Sequence, residues 1–487
     1  MNNIFKPWLM VGVIAMSLTM GGCSTLGGVG DAISSINPFD NDDSKDGEGA
    51  VAGENERISI LSLNETLQVA ETLSPSDISL PPVYVNPDWP QVGGNPNHVM
   101  QHTAASGSLK KIWSKNVGKG SSRKGRVTAS PVIGGGQIFV MDGDNRISAY
   151  NQTSGKRNWA AKIKVESRGK TRRGKRGIIE RIRDPLSFTD GSGVDKESVG
   201  GGVALADGKV FATSGLGIVT AFDAVTGEQI WTTPTRVPMH SAPTVADGRL
   251  FVVSDENELF AFNADTGDVL WTYQGIVESA RMLTSPSPAV IGETVIAPFA
   301  SGEIIAMRVQ NGGVLWQDAL SAPGRLTPLS TLNDIASGPA IADGYVIATA
   351  QSGVMSAFDL RTGQRIWTQP AGSLGFPLIG GDFVYTVTTD GQATALSKLD
   401  GSVIWITQLP AYKNEKKRKK RIAWSGPIFA GDRLFMASSR GRTVTMNPYD
   451  GTIIDEGKIG DSVFVSPIIA GETVYVLTDD AKLVALR

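Results

Sequence analysis

One cysteine and three histidines in 487 residues remove whole classes of chemistry. Cys23 has no second thiol in the chain to pair with, so neither an internal disulfide nor a dithiol redox couple can form. His98, His102 and His240 lack the spacing of a zinc site. The apolar run Trp8–Met20 is too short to span a bilayer comfortably. A net charge of -2 names no partner by itself. What the chain does have is 57 glycines and 41% hydrophobic residues, a composition that suits many short strands and turns around a large core.

The stretch Ser241–Trp271, SAPTVADGRLFVVSDENELFAFNADTGDVLW, sets the pattern for most of the chain. Apolar period-two runs at Pro243–Ala246, Leu250–Val253 and Leu259–Phe262 are separated by Asp247-Gly248 and Asp255-Glu256-Asn257, and a fourth run, Val269–Tyr273, follows Thr266-Gly267. Gly, Asn and Asp accept the positive φ of tight hairpin turns, so the unit predicts four short antiparallel strands. Its end recurs as AYNQTSGKRNW (Ala149–Trp159), AFDAVTGEQIW (Ala221–Trp231), AMRVQNGGVLW (Ala306–Trp316), AFDLRTGQRIW (Ala357–Trp367), ALSKLDGSVIW (Ala395–Trp405) and the degenerate TMNPYDGTIID (Thr445–Asp455).

Four strands every ~40–50 residues point to a β-propeller, because each sheet buries its faces only against its neighbours. The small Ala suits crowded inner strands, and the Trp is expected to lie against the next blade. The C-terminal stretch from Ser466-Pro467 to Arg487 supplies three strands without a fourth, while Leu109–Trp113 looks like a strand ending in Trp without a blade before it. Pairing the two completes an all-β, eight-bladed propeller whose last blade is closed by an N-terminal strand, and it leaves no open edge at the seam.

The organisation expected upstream is a signal peptide at 1–22, a flexible tether at 23–57 rich in Gly, Ser, Asp and Asn, and an extended lead-in at 58–108, followed by the propeller at 109–487. Apolar Ile60, Leu63, Leu67 and Ala70 suggest a short helix within 58–74, and Pro81, Pro82, Pro87 and Pro90 then force an extended approach over the ring. Asp42–Gly47 imitates half an EF-hand loop but has Gly53 where the closing Glu belongs, so it reads as linker. Gly169-Lys170-Thr171 likewise fails as a phosphate loop, since Lys164 stands where the first glycine is needed.

In each unit the turns after strands one and three fall on one face of the disc, and the inter-blade connections fall on the other. Ser114–Ala129, Lys162–Arg183 and Lys413–Arg421 hold five, ten and seven of the chain's 46 basic residues. Export argues against nucleic acid as their partner; they read as solvated loops, with anionic lipid as the contact they could make. The less charged connections carry Val237, Met239, Ile276, Met282 and Leu329, which look exposed and suit docking to a protein.

Met20-Gly21-Gly22-Cys23 resembles a bacterial lipoprotein lipobox, which implies that Cys23 becomes the lipidated N-terminus and that Ser24 directs it to the outer membrane. The repeat Ala-x-Asp-x-x-Thr-Gly-x-x-x-Trp resembles that of pyrroloquinoline-quinone propellers. In the dehydrogenases of that family the quinone and Ca2+ occupy the centre of the ring. Here no Glu, Asn and Asp set for Ca2+ is apparent, and no cofactor is expected. Lipobox, tether, eight repeats and a closing strand together resemble the BamB family of lipoproteins of the outer-membrane β-barrel assembly machinery. That resemblance implies a non-enzymatic scaffold at the periplasmic face of the outer membrane, docking to a periplasmic domain of BamA and aiding assembly of β-barrel proteins. The alternative is a quinone-dependent periplasmic dehydrogenase. In the BamB family docking residues precede the Ser-x-Pro of mid-ring blades. The matching positions here are Arg236 and Val237, before Ser241-Ala242-Pro243, and Asp334, before Ser337-Gly338-Pro339.

Overall fold

Blade 3 shows how one repeat becomes a sheet. Thr244–Ala246, Arg249–Val253, Glu258–Asn263 and Val269–Gln274 pair in that order, each antiparallel to the next. Ala246 faces Arg249 across a two-residue turn in which Asp247 and Gly248 have φ of 48° and 69°, as a type I′ hairpin requires. At the other turn the Asn263 Oδ1 accepts the amides of Asp265 and Thr266 at 2.8 and 3.0 Å. The carboxylate of Asp223 does the same in blade 2, and these hydrogen bonds from Thr226 and Val225 hold it below the usual carboxylate range.

A computed structural model describes residues 66–163, 200–277, 286–320 and 334–487, apart from single positions 72, 124, 240 and 336. Eight four-stranded antiparallel sheets form a β-propeller. Blades 1 to 7 span 132–162, 201–234, 244–274, 289–319, 340–369, 378–408 and 424–458. Blade 8 joins Ile468–Ala470, Thr473–Leu477 and Lys482–Leu486 to Lys111–Asn116. The closing strand therefore begins two residues later than the expected Leu109 and runs past Trp113, taking in the start of the stretch read as a basic loop. Trp113 faces Ala485, and Lys110 and Arg487 exchange both main-chain hydrogen bonds at 2.9 Å.

The repeated Ala and Trp are explained by one contact pattern. Ala221 faces Trp231, Ala261 faces Trp271 and Ala395 faces Trp405 across the third and fourth strands, with a bulge directly after each Ala. Opposed side chains share a face, so the residue opposite the indole is kept small by that ring rather than by closeness to the hub. Each indole then reaches the next blade: Trp231 Nε1 donates to Ala264 O at 3.0 Å, Trp316 to Leu360 O at 2.8 Å and Trp405 to Pro448 O at 3.0 Å. The ring lies on the glycine of the next repeat. At Gly227, whose φ is 74°, a Cβ would stand 2.5 Å from the Trp159 ring. The core is accordingly divided between neighbours; one cluster joins Val132, Phe139 and Ile147 of blade 1 to Val203, Val210 and Phe222 of blade 2.

In the stretch 58–74 read as a short helix, residues 66–71 form no helix and Val69 makes an isolated bridge; a 3-10 turn follows beyond it at Pro75–Asp77, and 58–65 lie outside the described residues. Lys413–Arg421, read as a solvated loop, forms a hairpin with strands Tyr412–Asn414 and Lys419–Arg421.

Candidate functional site

Two places on a propeller can carry function, the hub and the loop face. The first strand of every blade offers the hub an unpaired edge whose amides and carbonyls need partners. The lead-in supplies them in one circuit. Asn86 bonds blade 8 through Gly471 N and Ile469 O, at 2.8 and 2.6 Å. Trp89 exchanges main-chain bonds with Ile133 of blade 1, and Pro90 O accepts Leu205 N of blade 2, all at 2.8 Å. The Gln91 amide acts as a substitute peptide: its Nε2 donates to Val245 O at 2.8 Å and its Oε1 accepts Val245 N at 2.9 Å, in blade 3. Pro96 O accepts Val290 N of blade 4 at 2.7 Å, and Asn97 exchanges two 2.9 Å bonds with Ile341 of blade 5. Gln101 Oε1 accepts Gly381 N of blade 6 at 2.9 Å, and Thr103 bonds Gly431 N and Phe429 O of blade 7 at 2.9 and 2.8 Å.

These polar residues, which sequence reasoning left in a lead-in lying over the ring, are buried. Asn86, Gln91, His98, His102 and Thr103 are all under 5% exposed. Amides and hydroxyls flanked by Pro and Gly look like surface loop in a one-dimensional reading. The signal available was their density, since five Asn or Gln between 86 and 101 is what a segment needs when it must complete sheet edges it cannot pair as a strand.

His98 Nδ1 lies 2.8 Å from Pro339 O, and its ring meets Phe376 edge-on at 5.0 Å. Burial pushes its pKa down to about 4. His102 contacts Pro81 O and Gly431 O at 2.8 and 3.1 Å, a structural role on both nitrogens. A cavity of about 40 Å3 lies beside Trp89, His98 and Met100. With the inner strand of every blade already bonded to residues 86–103, the residues present do not fit a quinone in the hub. Among the described residues no group of three His, Cys, Asp or Glu side chains could hold a metal ion.

The loop face is the other candidate. Arg236 is exposed on the connection between blades 2 and 3. Val237 is 8% exposed and Met239 fully buried, both packed with Phe211, Val245 and Leu250, so neither is the surface residue its loop position suggested. Asp334, on the connection between blades 4 and 5, is 2% exposed, and its carbonyl accepts Gln351 N at 2.9 Å. Reversing its charge would therefore disturb the fold as well as any contact. The connection carrying Asp334 is separated from that of Arg236 by blades 3 and 4. Apolar surface on this face comes instead from Ile276, as expected, and from Val277, Leu374 and Phe464, which sequence reasoning missed. Cys23, His240, Met282, Leu329 and most of Lys162–Arg183 lie outside the described residues.

The model of the family described as outer membrane protein assembly factor BamB matches residues 95–172 and 183–407. The outer membrane protein assembly factor BamB of Salmonella typhimurium is 29% identical over 376 residues, 77% of this chain and 88% of that protein. The crystal structure of BamB from Moraxella catarrhalis superposes with a TM-score of 0.62 at 16% identity, covering 78% of this chain and 100% of that one. Quinohemoprotein alcohol dehydrogenase from Comamonas testosteroni gives 0.57 at 14% identity, over 82% and 80%. At such identities the likeness to both structures shows the fold alone.

Proposed function

The chain belongs to the BamB family of outer membrane protein assembly factors, and from that premise we propose that it is a non-enzymatic scaffold lipoprotein that docks to the periplasmic part of BamA and aids assembly and insertion of β-barrel proteins. Acylated Cys23 holds it at the periplasmic face of the outer membrane, through the tether at 23–57. Several acyl chains make such anchoring stable, each buried CH2 contributing ~0.8 kcal/mol. The basic connections add contact with anionic lipid.

One observation carries the reading. The hub, where a propeller enzyme would bind its cofactor, is closed by a circuit of the chain's own residues hydrogen-bonded to every blade. Function then rests with the outer surface, and the inter-blade face offers exposed Arg236 on one connection and exposed Ile276 and Val277 on the next. A cation next to apolar surface is the composition of a docking patch. Val237 supports that patch from beneath, packed with Phe211, Val245 and Leu250, while buried Asp334 sets the conformation of the connection between blades 4 and 5.

Affinity isolation of the full-length chain from detergent-solubilised outer membrane tests this. BamA is expected in the eluate, and Arg236→Glu is expected to reduce its recovery with no change in thermal unfolding, because the side chain is exposed. Absence of BamA from the wild-type eluate would overturn the scaffold reading; undiminished recovery with Arg236→Glu would remove that residue from the interface.

A further inference from the structure

The hairpin between blades 6 and 7 concentrates like charge in a way that its own chain does not balance. Seven of the nine residues Lys413–Arg421 are Lys or Arg, Glu415 is the one acid among them, and all nine are exposed. Among the described residues, only Arg421 has an acidic partner, Asp390 at 3.1 Å. A two-stranded hairpin is marginal by itself, and repulsion between its cations lowers its stability further. Yet the hairpin is built. Arg418 N donates to Glu415 O at 3.1 Å, Lys417 N to Asn414 Oδ1 at 3.0 Å, and the Arg418 guanidinium lies 5.5 Å from the centre of the Tyr412 ring. Its base is fixed to the propeller by Ile422 N to Ala411 O at 2.8 Å, Trp424 Nε1 to Pro410 O at 3.0 Å and Arg421 to Thr389 O. A rigid mount presenting unneutralised cations fits a polyanionic surface.

The path of the N-terminal chain says which surface. Val69 pairs in parallel with Val403, and Ala70 N donates to Val403 O at 2.8 Å, so this segment adds to the outer edge of blade 6. Leu67 packs with Trp367 and Val403, and Leu73, Ile78 and Leu80 pack with Phe383 and Phe429 on the way to the hub. Val403 opens the fourth strand of blade 6, and the end of that strand, Gln408, leads into the hairpin. Five residues of strand separate the two, roughly 17 Å at ~3.3 Å each. The first described residues, 66–71, and the basic hairpin thus share the rim of one blade.

We infer that the Lys413–Arg421 hairpin seats on the anionic phospholipid surface of the membrane that holds the chain, so that the blade 6 rim faces the bilayer and blade 2, across the ring, points away. This rests on acylation of Cys23 as read above: the acyl chains supply retention, and the hairpin supplies orientation. Polybasic segments beside a membrane anchor are attracted to anionic headgroups by this electrostatics.

Two measurements on the full-length chain test it. With Cys23→Ser removing the acyl site, the chain is expected to sediment with vesicles of phosphatidylethanolamine and phosphatidylglycerol, not with phosphatidylcholine, and to be released by salt. Reversing Lys413, Lys416, Lys417 and Lys419 to Glu is expected to weaken retention about tenfold or more, with unchanged thermal unfolding. In the acylated chain, where Cys23 is blocked, a fluorophore on Lys416→Cys is expected to be quenched by a headgroup-borne quencher, and one on Val225→Cys of blade 2 is not. Retention indifferent to lipid charge, retention unchanged by the reversal, preference for single-stranded DNA over vesicles, or equal quenching at both positions would overturn the inference. An unmodified Cys23 in membrane-extracted chain, found by mass spectrometry alongside salt-sensitive vesicle retention, would instead remove the acylation reading and leave the hairpin's lipid contact standing.

Discussion

His98 shows how much a single side chain can contribute to closing a hub. It is 3% exposed, bonded to Pro339 O and set against Phe376, in a place that stabilises the neutral imidazole only. Its folded-state pKa of about 4 lies below the ordinary 6.5. Between those values the unfolded chain binds more protons than the folded one, so stability falls as pH falls. The contribution of the neutral ring is complete above pH ~6.5 and is lost as pH drops through 4, a change of roughly 3 kcal/mol over the window. Chemical denaturation at neutral pH and near pH 4.5 should therefore show a larger loss for the wild type than for His98→Gln. Equal losses would mean that the imidazole is not held neutral in the hub.

At the scale of elements, the lead-in and the closing strand do related work on opposite sides of the ring wall. Lys111–Asn116 completes the outer edge of blade 8, and the circuit from Asn86 to Thr103 completes the inner edges of all the blades. Gln91 is the most exposed to test, because its one amide satisfies both polar groups of Val245. Gln91→Leu keeps the bulk and leaves a buried N–H and C=O without partners, which costs about 1–3 kcal/mol for each. A drop in the thermal midpoint is expected for Gln91→Leu, and also for Gln91→Glu, which keeps the acceptor for Val245 N but sets a buried carboxylate against Val245 O; no drop for either would show that the circuit is not bonded to blade 3. The repeating strands were legible beforehand because apolar period and turn glycine coincide, as at Leu250–Val253 and Asp247-Gly248. The closing strand was legible from an unmatched Trp, although its register was not, since Lys115 and Asn116 carry no apolar alternation. The hub circuit was hidden because its residues bury amides rather than hydrocarbon. Burial of Val237 and Asp334 was hidden for a related reason: a connection's place in the sequence says which face it is on, not which of its side chains turn inward.

At the largest scale, the ring is sealed at the rim by Lys111–Asn116 and crossed at its centre by residues 86–103, which leaves the inter-blade connections as its variable surface. The proposed docking surface is the inter-blade connections that carry Arg236, Ile276 and Val277, with residues 86–103 bonded to the inner strands. Hydrogen–deuterium exchange of the full-length chain, with and without purified periplasmic domains of BamA, tests that division most directly. Slower exchange on binding is predicted in 234–239 and 272–277, with no change in 86–103. Protection confined to the hub circuit, or to the turns on the opposite face, would contradict it.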